Sequence, residues 1–344
     1  MASGKSNPTL QDIAERCGVS KMTVSLALRD DPRISEATKE RVRAAADALG
    51  HRKNPYVATL MAQLRTGRKR GGSPVIAFLN LNDPPEALHA TNAGRNYYFG
   101  ARERAAELGF ALDEFALNAP EMSYKRMERI FRARNIHAVL LAPAEGRQTR
   151  LPLRWERYAV AKFGFTVDHP ASHLVTSDHF QTVQLLVSEL LERGYRHMGL
   201  ALPRSMDERV DHRWIGSFLY HKWRLGRSAK LTVEVQNAWR ESDFLRWFRR
   251  ERPEVVIGFD PRVPEWLARA GFSVPGDVGY ASMDWSRDFP EQSGVNPRPR
   301  LTGALAIDLL VEQIHRNEWG EPRDAKSVLV TGEWVEGKTL KEAT

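Results

Sequence analysis

The sequence predicts an N-terminal all-α helix-turn-helix headpiece followed by an α/β core of two doubly wound parallel-sheet lobes. Three observations carry that prediction. The first 50 residues hold three short amphipathic segments separated by cap and turn residues. From Val75 onward, short apolar runs alternate with longer amphipathic ones, and the alternation occurs twice. Charge is uneven: the chain of 344 residues carries +8, yet residues 1–70 hold 14 Lys and Arg against 7 Asp and Glu, while the rest hold 37 against 36.

In the first segment, Thr9 is an N-cap with Asp12 at the third position after it, a capping-box variant. Leu10, Ile13, Ala14 and Cys17 share one face. Gly18 suits the left-handed residue that ends a helix, and Val19 plugs the junction. Ser20 caps a second helix whose inner face is Val24, Ala27 and Leu28. Ser35 caps a third, with Thr38, Val42, Ala45, Ala46 and Leu49 inward and Gly50 as its stop. Three short helices in this order make a helix-turn-helix, whose second helix lies in the major groove of DNA. A basic module on a near-neutral body points to a polyanion, nucleic acid first. A merely solvated basic tail is disfavoured because the segment is patterned.

Composition excludes several classes. No apolar run reaches the ~18–20 residues that span a bilayer, and "MASGKSNPTL" lacks the apolar region of a secretory signal. The single cysteine, Cys17, excludes an intramolecular disulfide and fits a reducing compartment, with the cytoplasm as the expected location. Ten histidines are scattered without metal spacing, and His169, His173 and His179 read as surface or polar-cleft residues. No metal, cofactor or catalytic motif is expected. "GEWVEGKT" at 332–339 matches the spacing of a phosphate-binding loop, but such a loop must open a helix and five residues follow Thr339.

The body reads in order as strand "PVIAFLN", helix "FGARERAAELGF", strand "FALDEFAL", helix "YKRMERIFRARN", then strands "HAVLLAP" and "YAVAKFGF". A second series follows: helix "TVQLLVSELLERGY", strand "HMGLAL", helix "HRWIGSFLYHKWRLG", strand "LTVEVQ", helix "SDFLRWFRRERP", strand "EVVIGF", helix "PEWLARAGF" and strand "VGYASM". Ligands of such folds sit at the C-terminal ends of the strands.

The run "TLQDIAERCGVSKMTVSLALRDDPRISEATKERVRAAADALGHRKNP" resembles the DNA-binding headpiece of the lactose-repressor (LacI) family of bacterial transcription regulators. Farther on, "LLERGYRHMGLAL", "RWIGSF" and "VPGDVGYASMD" resemble runs of the same family's body, which is similar to periplasmic sugar-binding proteins. The resemblance implies residue roles. Lys21, Met22 and Leu26 face bases, with Met22 and Leu26 suited to thymine methyls. Leu10 falls among the DNA-binding positions, Thr9, Ser20, Thr23 and Ser25 suit phosphates, and Arg33 suits the backbone. Ser20 serves equally as a cap.

The segment "HRKNPYVATLMAQLRTGRKRGGSP" resembles the family hinge, which enters the minor groove as a helix with a leucine wedge. Asn54 matches the family asparagine and Leu60 the wedge, whereas the "LRTG" landmark places Leu64 one helical turn later. Counting from the headpiece favours Leu60. In the body, the resemblance implies effector contacts at Arg213 and Asp260, with Asn82, Tyr97, Phe99 and Trp285 as further candidates beside Asn80, Asp83, Tyr98 and Asp284. For the aromatics, core packing is an equal alternative. The loop 81–95 reads as longer than usual.

The expected organisation is a headpiece over 1–50, a hinge and linker over 51–73, and an effector and dimerisation core over 74–344. Lobe 1 would take 74–170 and 297–321, and lobe 2 would take 171–296 and 322–344, with crossings near 170, 296 and 322. Helix 301–317 would return to the first lobe. The ending "GKTLKEAT" has no heptad run, so no tetramerising helix is expected there. The implied function is a nucleoid-associated homodimeric regulator, a repressor in its simplest form, that binds pseudo-palindromic double-stranded operator DNA under control of a carbohydrate effector. A sugar-binding or sugar-processing enzyme that carries a DNA-binding module is the alternative.

Overall fold

The computed structural model describes residues 9–28, 31–49, 73–148 and 150–342. The N-terminal module has α1 (Leu10–Cys17), α2 (Lys21–Ala27) and α3 (Glu36–Leu49). Its helix ends are fixed by local chemistry. The Asp12 amide donates to Thr9 Oγ1 at 3.3 Å, and the Thr9 amide donates to Asp12 Oδ2 at 2.6 Å, which closes the capping box. Gly18 takes the left-handed conformation at φ 65°, where a side chain would be strained. The Thr23 amide donates to Ser20 Oγ at 3.0 Å and starts α2. Ile13, Ala14, Val24, Ala27, Val42 and Ala46 form the core of this module.

The body contains two six-stranded sheets. The first comprises β1 (Val75–Asn80), β2 (Ala111–Ala116), β3 (Ala138–Leu141), β4 (Ala159–Phe163), β5 (His173–Ser177) and β11 (Ser327–Val330). Their order is β11-β5-β4-β3-β1-β2, all parallel. The second comprises β6 (His197–Pro203), β7 (Lys230–Gln236), β8 (Val255–Gly258), β9 (Gly279–Ser282), β10 (Ser293–Asn296) and β12 (Glu333–Val335). Their order is β12-β10-β9-β8-β6-β7, parallel except for the closing β10–β12 pair. The first lobe is covered by a helical turn α4 (Ala87–Ala90), then α5 (Asn92–Glu107) and α6 (Tyr124–Ala133). The second lobe carries α7 (His179–Glu192), α8 (Arg204–Arg209), α9 (Arg213–Leu225), α10 (Glu241–Glu251) and α11 (Val263–Arg269). Helix α12 (Pro299–Arg316) returns to the first lobe, where Ala306, Ile307 and Leu310 join its core. Two glycines let α12 meet α5: a Cβ on Gly100 would lie 2.0 Å from the Arg300 carbonyl oxygen, and one on Gly303 would lie 2.3 Å from that of Tyr97.

Two expected crossings move. Strand β5 pairs with β4 and β11, so the chain leaves the first lobe at Asp178 and not near 170. Strand β11 also belongs to the first sheet, and β12 to the second, so the last crossing is at Thr331–Gly332 and not near 322. The middle crossing falls between β10 and α12, as expected near 296. The 81–95 stretch is not an open loop. It holds α4 and the first turn of α5, which Thr91 caps by accepting from the Gly94 amide at 3.1 Å. The phosphate-loop look-alike opens no helix: it forms β12, after which Thr339 Oγ1 donates to the Tyr280 carbonyl at 2.7 Å. Among the described residues, no helix is long and apolar enough to cross a membrane. The expected boundaries at 50–51 and 73–74 border residues outside those described.

Candidate functional site

In the N-terminal module, α2 divides cleanly. Val24 and Ala27 are fully buried and hold the helix against α1 and α3. Lys21 and Met22 stand in water, with Met22 68% exposed, and Ser25 and Leu26 continue that face one turn on. An exposed methionine beside an exposed lysine, on a helix whose back is pinned, suits an apolar and cationic reading of a groove. The hydroxyl residues are engaged in caps: Thr9 Oγ1 donates to Asp12 Oδ2 at 2.8 Å, and the Ser20 and Thr23 hydroxyls lie 2.9 Å apart. Arg33 is an exposed side chain held by Asp31, with Nε and Nη2 each donating at 2.9 Å. That guanidinium holds the Asp31 carboxyl well below the usual carboxylate range, and a phosphate contact requires Arg33 to exchange partners. Leu10 packs on the module core, so its first-turn backbone and not its side chain faces outward. Asn54 and Leu60 lie outside the described residues.

Between the two sheets is a cavity of about 120 Å3. The first lobe contributes Tyr97, Thr166 and Ser177, and the second contributes His179, Arg209, Trp214 and Asp284. These residues sit at strand ends or on the helices that follow them: Ser177 closes β5, His179 opens α7, Arg209 ends α8 after β6, and Asp284 follows β9. Tyr97 is held flat on Phe163, with ring centroids 4.7 Å apart, and burial pushes its hydroxyl up to about 12. Burial pushes Asp284 up to about 6, opposed by a hydrogen bond from Asn92 and by Arg209. His179 is pushed down to about 3 by burial and then by Arg213 and Arg209, so it is neutral at pH 7. Burial also lowers Arg209, which has no carboxylate within ion-pair distance among the described residues, its Nη1 lying 4.0 Å from Met206 Sδ. The lining therefore offers a neutral imidazole, a guanidinium, a carboxylate, hydroxyls and aromatic faces, a set suited to a small ligand rich in hydroxyl groups.

Of the six expected effector residues, Tyr97 alone lines this cavity. Asn82 is buried behind it and donates to the Pro143 carbonyl at 3.0 Å, which fixes a lining residue. Arg213 is not among the lining residues but stands beside one: its guanidinium carbon lies 4.5 Å from the Phe165 ring centroid, its charge acts on His179, and its Nε is buried without a hydrogen-bond partner. Asp260 is saturated: it accepts from Arg262 at 2.6–3.1 Å and from Trp239 Nε1 at 2.8 Å. Phe99 and Trp285 line a separate, open groove of about 560 Å3, across which Arg95 pairs with Asp288 at 2.7 Å. Sequence reasoning missed Arg209 and Trp214 and gave His179 no role beyond a polar cleft. The position of Arg209 shortly after the end of a predicted strand was the available signal. Among the described residues, no cluster of three or more His, Cys, Asp or Glu is placed to hold a metal.

Comparison with known proteins agrees with both parts of the chain. Residues 9–54 match the family described as bacterial regulatory proteins, lacI family, and residues 187–340 match the periplasmic binding protein-like domain. The HTH-type transcriptional regulator GntR of Escherichia coli K12 is 28% identical over 328 residues, covering 90% of this chain and 93% of the relative. The maltose regulon regulatory protein MalI of the same strain is 29% identical over 198 residues, covering 55% of this chain and 52% of the relative. In fold, the chain is similar to the transcriptional regulator CelR–cellobiose complex, with a TM-score of 0.59 at 18% identity, covering 96% of this chain and 99% of that one. It is also similar to the lac repressor dimer bound to operator and the anti-inducer ONPF, with a TM-score of 0.55 at 18% identity, covering 96% and 98%.

Proposed function

Because this chain belongs to the LacI family of bacterial regulatory proteins, we propose that it binds operator DNA through α2 and that a small carbohydrate held between the lobes controls that binding. The observation that carries the reading is the pairing of an outward Lys21–Met22 face with an inter-lobe cavity lined by Tyr97, Arg209 and Asp284. The chain acts as a cytoplasmic homodimer on a pseudo-palindromic site, since a two-fold assembly reads two-fold DNA. Lys21, Met22, Ser25 and Leu26 contact bases or phosphates, and Thr9, Ser20, Thr23 and Arg33 contact the backbone. Asn54 and Leu60 belong to the hinge, with Leu60 as the minor-groove wedge. The effector biases the angle between the lobes and thereby the DNA-binding form, so effector and operator affinities are coupled reciprocally. The protein carries out no reaction on the effector.

The test combines operator titration by fluorescence anisotropy with a thermal-shift screen of monosaccharides. Deleting residues 1–72 should abolish operator binding and leave carbohydrate binding intact. Leu60→Ala should weaken operator binding at least about tenfold, because a wedge repays the few kcal/mol of base unstacking, and Leu64→Ala should do less. A full-length protein that binds no DNA, or an effector that shifts the melting curve without changing operator affinity, would overturn the reading.

A further inference from the structure

On the outer surface of the second lobe, α9 leaves three large apolar side chains in water: Leu219 at 48%, Tyr220 at 40% and Trp223 at 79% exposure. Its inner face is fully used, with Trp214, Ser217, Phe218 and His221 buried. Trp223 is the most exposed large hydrophobic residue among those described, at the end of α9 farther from the cavity. Two turns before it, Gly216 is exposed, and a Cβ placed there would meet nothing within 4 Å. Beside Gly216 is a depression of about 330 Å3 lined by Ile215, Leu219 and Val235 on one side and by Arg204, Asp207 and His212 on the other. The same surface thus carries a projecting indole and an unfilled, partly apolar hollow.

We propose that this face is a self-association surface, in which α9 packs antiparallel on α9 of a second copy and each Trp223 fills the other copy's hollow over Gly216. A two-fold axis passing between Leu219 and Tyr220 sets position 223 of one helix opposite position 216 of the other. The missing side chain at Gly216 lets an indole lie against the backbone at the usual 8–10 Å helix separation. Charge supports the antiparallel sense. Glu208 and Asp211 stand exposed just before α9, while Lys222, Arg224 and Arg227 stand exposed at its end, and none of the five is in an ion pair among the described residues. Antiparallel pairing places each acidic start against a basic end, whereas parallel pairing stacks like charges. A two-fold contact of this kind is self-complementary and joins one α9 face to one other, so a homodimer, with two such faces, can extend beyond a single pairing. One helix face buries less than the ~1,200 Å2 of a standard interface, so the association is weak and concentration-dependent.

Sedimentation velocity of the full-length chain over a wide concentration range tests this. The step at least doubles the mass of whatever species is present at high dilution. Trp223→Ala and Gly216→Leu should each weaken it at least about tenfold, as expected when a central anchor or its hollow is lost, with thermal melting unchanged. Lys222→Glu combined with Arg224→Glu should weaken it, and adding Glu208→Lys and Asp211→Lys to the same chain should restore it. In a Cys17→Ser background, Tyr220→Cys should cross-link to itself under mild oxidation. No mass doubling up to the solubility limit, or doubling that survives both Trp223→Ala and Gly216→Leu, overturns the proposal. Charge reversal without restoration overturns the antiparallel pairing.

Discussion

The α2 face and the inter-lobe cavity are built inside out relative to one another. In the N-terminal module, Lys21, Met22, Ser25 and Leu26 follow one another within two turns and point away from a core of six buried residues. In the cavity, residues from Tyr97 to Asp284 converge inward from two lobes, each with its own large core. The first site stands or falls with one small core. The second depends on how two large cores are placed relative to each other. A change that ruins one should leave the other nearly untouched.

The most severe way to break that separation is Val24→Asp. It puts an unpartnered carboxylate among Ile13, Ala27, Val42 and Ala46, and it also forfeits the roughly 1.5–3 kcal/mol that burying a valine side chain contributes. Operator binding should vanish in anisotropy titrations, and the thermal transition of the body should stay where it was. Ionic strength offers the next largest contrast. With roughly six phosphate contacts, operator affinity should fall with a log–log slope of about −5 or steeper, while carbohydrate binding in the cavity should barely respond. A flat operator titration removes the DNA reading from the module.

Gly100→Val attacks the other side. Its Cβ would lie 2.0 Å from the Arg300 carbonyl, so α5 must leave α12, and overpacking of this kind typically costs ~1–3 kcal/mol. The body should melt several degrees lower, and carbohydrate affinity should drop because Tyr97 sits one turn away, with the α2 face unaffected. Within the cavity, Arg209→Gln should weaken carbohydrate binding at least about tenfold, in keeping with ~1.5–3 kcal/mol for a hydrogen bond to a charged group. Calorimetry on Arg213→Ala and Asp260→Asn should show smaller losses, since both lie outside the lining. The reverse ranking would return the site to the residues the family resemblance implied.

The smallest effect is on pH. Asp284 is raised to about 6 in the folded chain against an ordinary 3.8. A raised acid favours the fold below its unfolded value, and that advantage is lost as pH rises from about 4 through about 6. His179, lowered to about 3, has the opposite sense: its contribution is present above 6.5 and is lost as pH falls through 3. Comparing Asp284→Asn with wild type at each pH cancels the histidine. The variant should melt higher near pH 7 and converge with wild type near pH 4. Equal melting at both values would place Asp284 in water.

What was legible in the sequence follows the same division. The Thr9–Asp12 box, the Gly18 stop and the Ser20 cap are contacts within four residues, so their chemistry is visible in one dimension. The repeating strand–helix pattern was equally visible, apart from short strands next to the crossings. Strand β5 was missed because "HLVTS" has two strongly apolar residues, although the whole strand is buried between β4 and β11. Without β5, the first crossing was placed too early and His179 lost its place at a strand end. The cavity was harder still. Asp260 does follow a strand, β8, but Arg262, two residues on, and Trp239, from a separate loop, take up its oxygens. Arg209 lies at the end of a six-residue helix with no motif of its own, and only the order β9-β8-β6 within the second sheet brings it to the same cavity as Asp284.

The way the last segment is threaded has a consequence for synthesis on the ribosome. Each sheet has an edge strand drawn from beyond position 326: β11 completes the first lobe, and β12 the second. Further along, Thr339 ties Tyr280 to Ser293, and the Lys341 amide donates to the Tyr195 hydroxyl at 3.0 Å. The α1–α3 module, by contrast, needs nothing past Leu49 for its core. During vectorial synthesis the nucleic-acid-facing module can therefore mature early, while both lobes wait, partly assembled, for the same late segment. A nascent chain stalled before position 326 would carry a finished reading head on two sheets with open edges, and such edges are what chaperones and aggregation compete for.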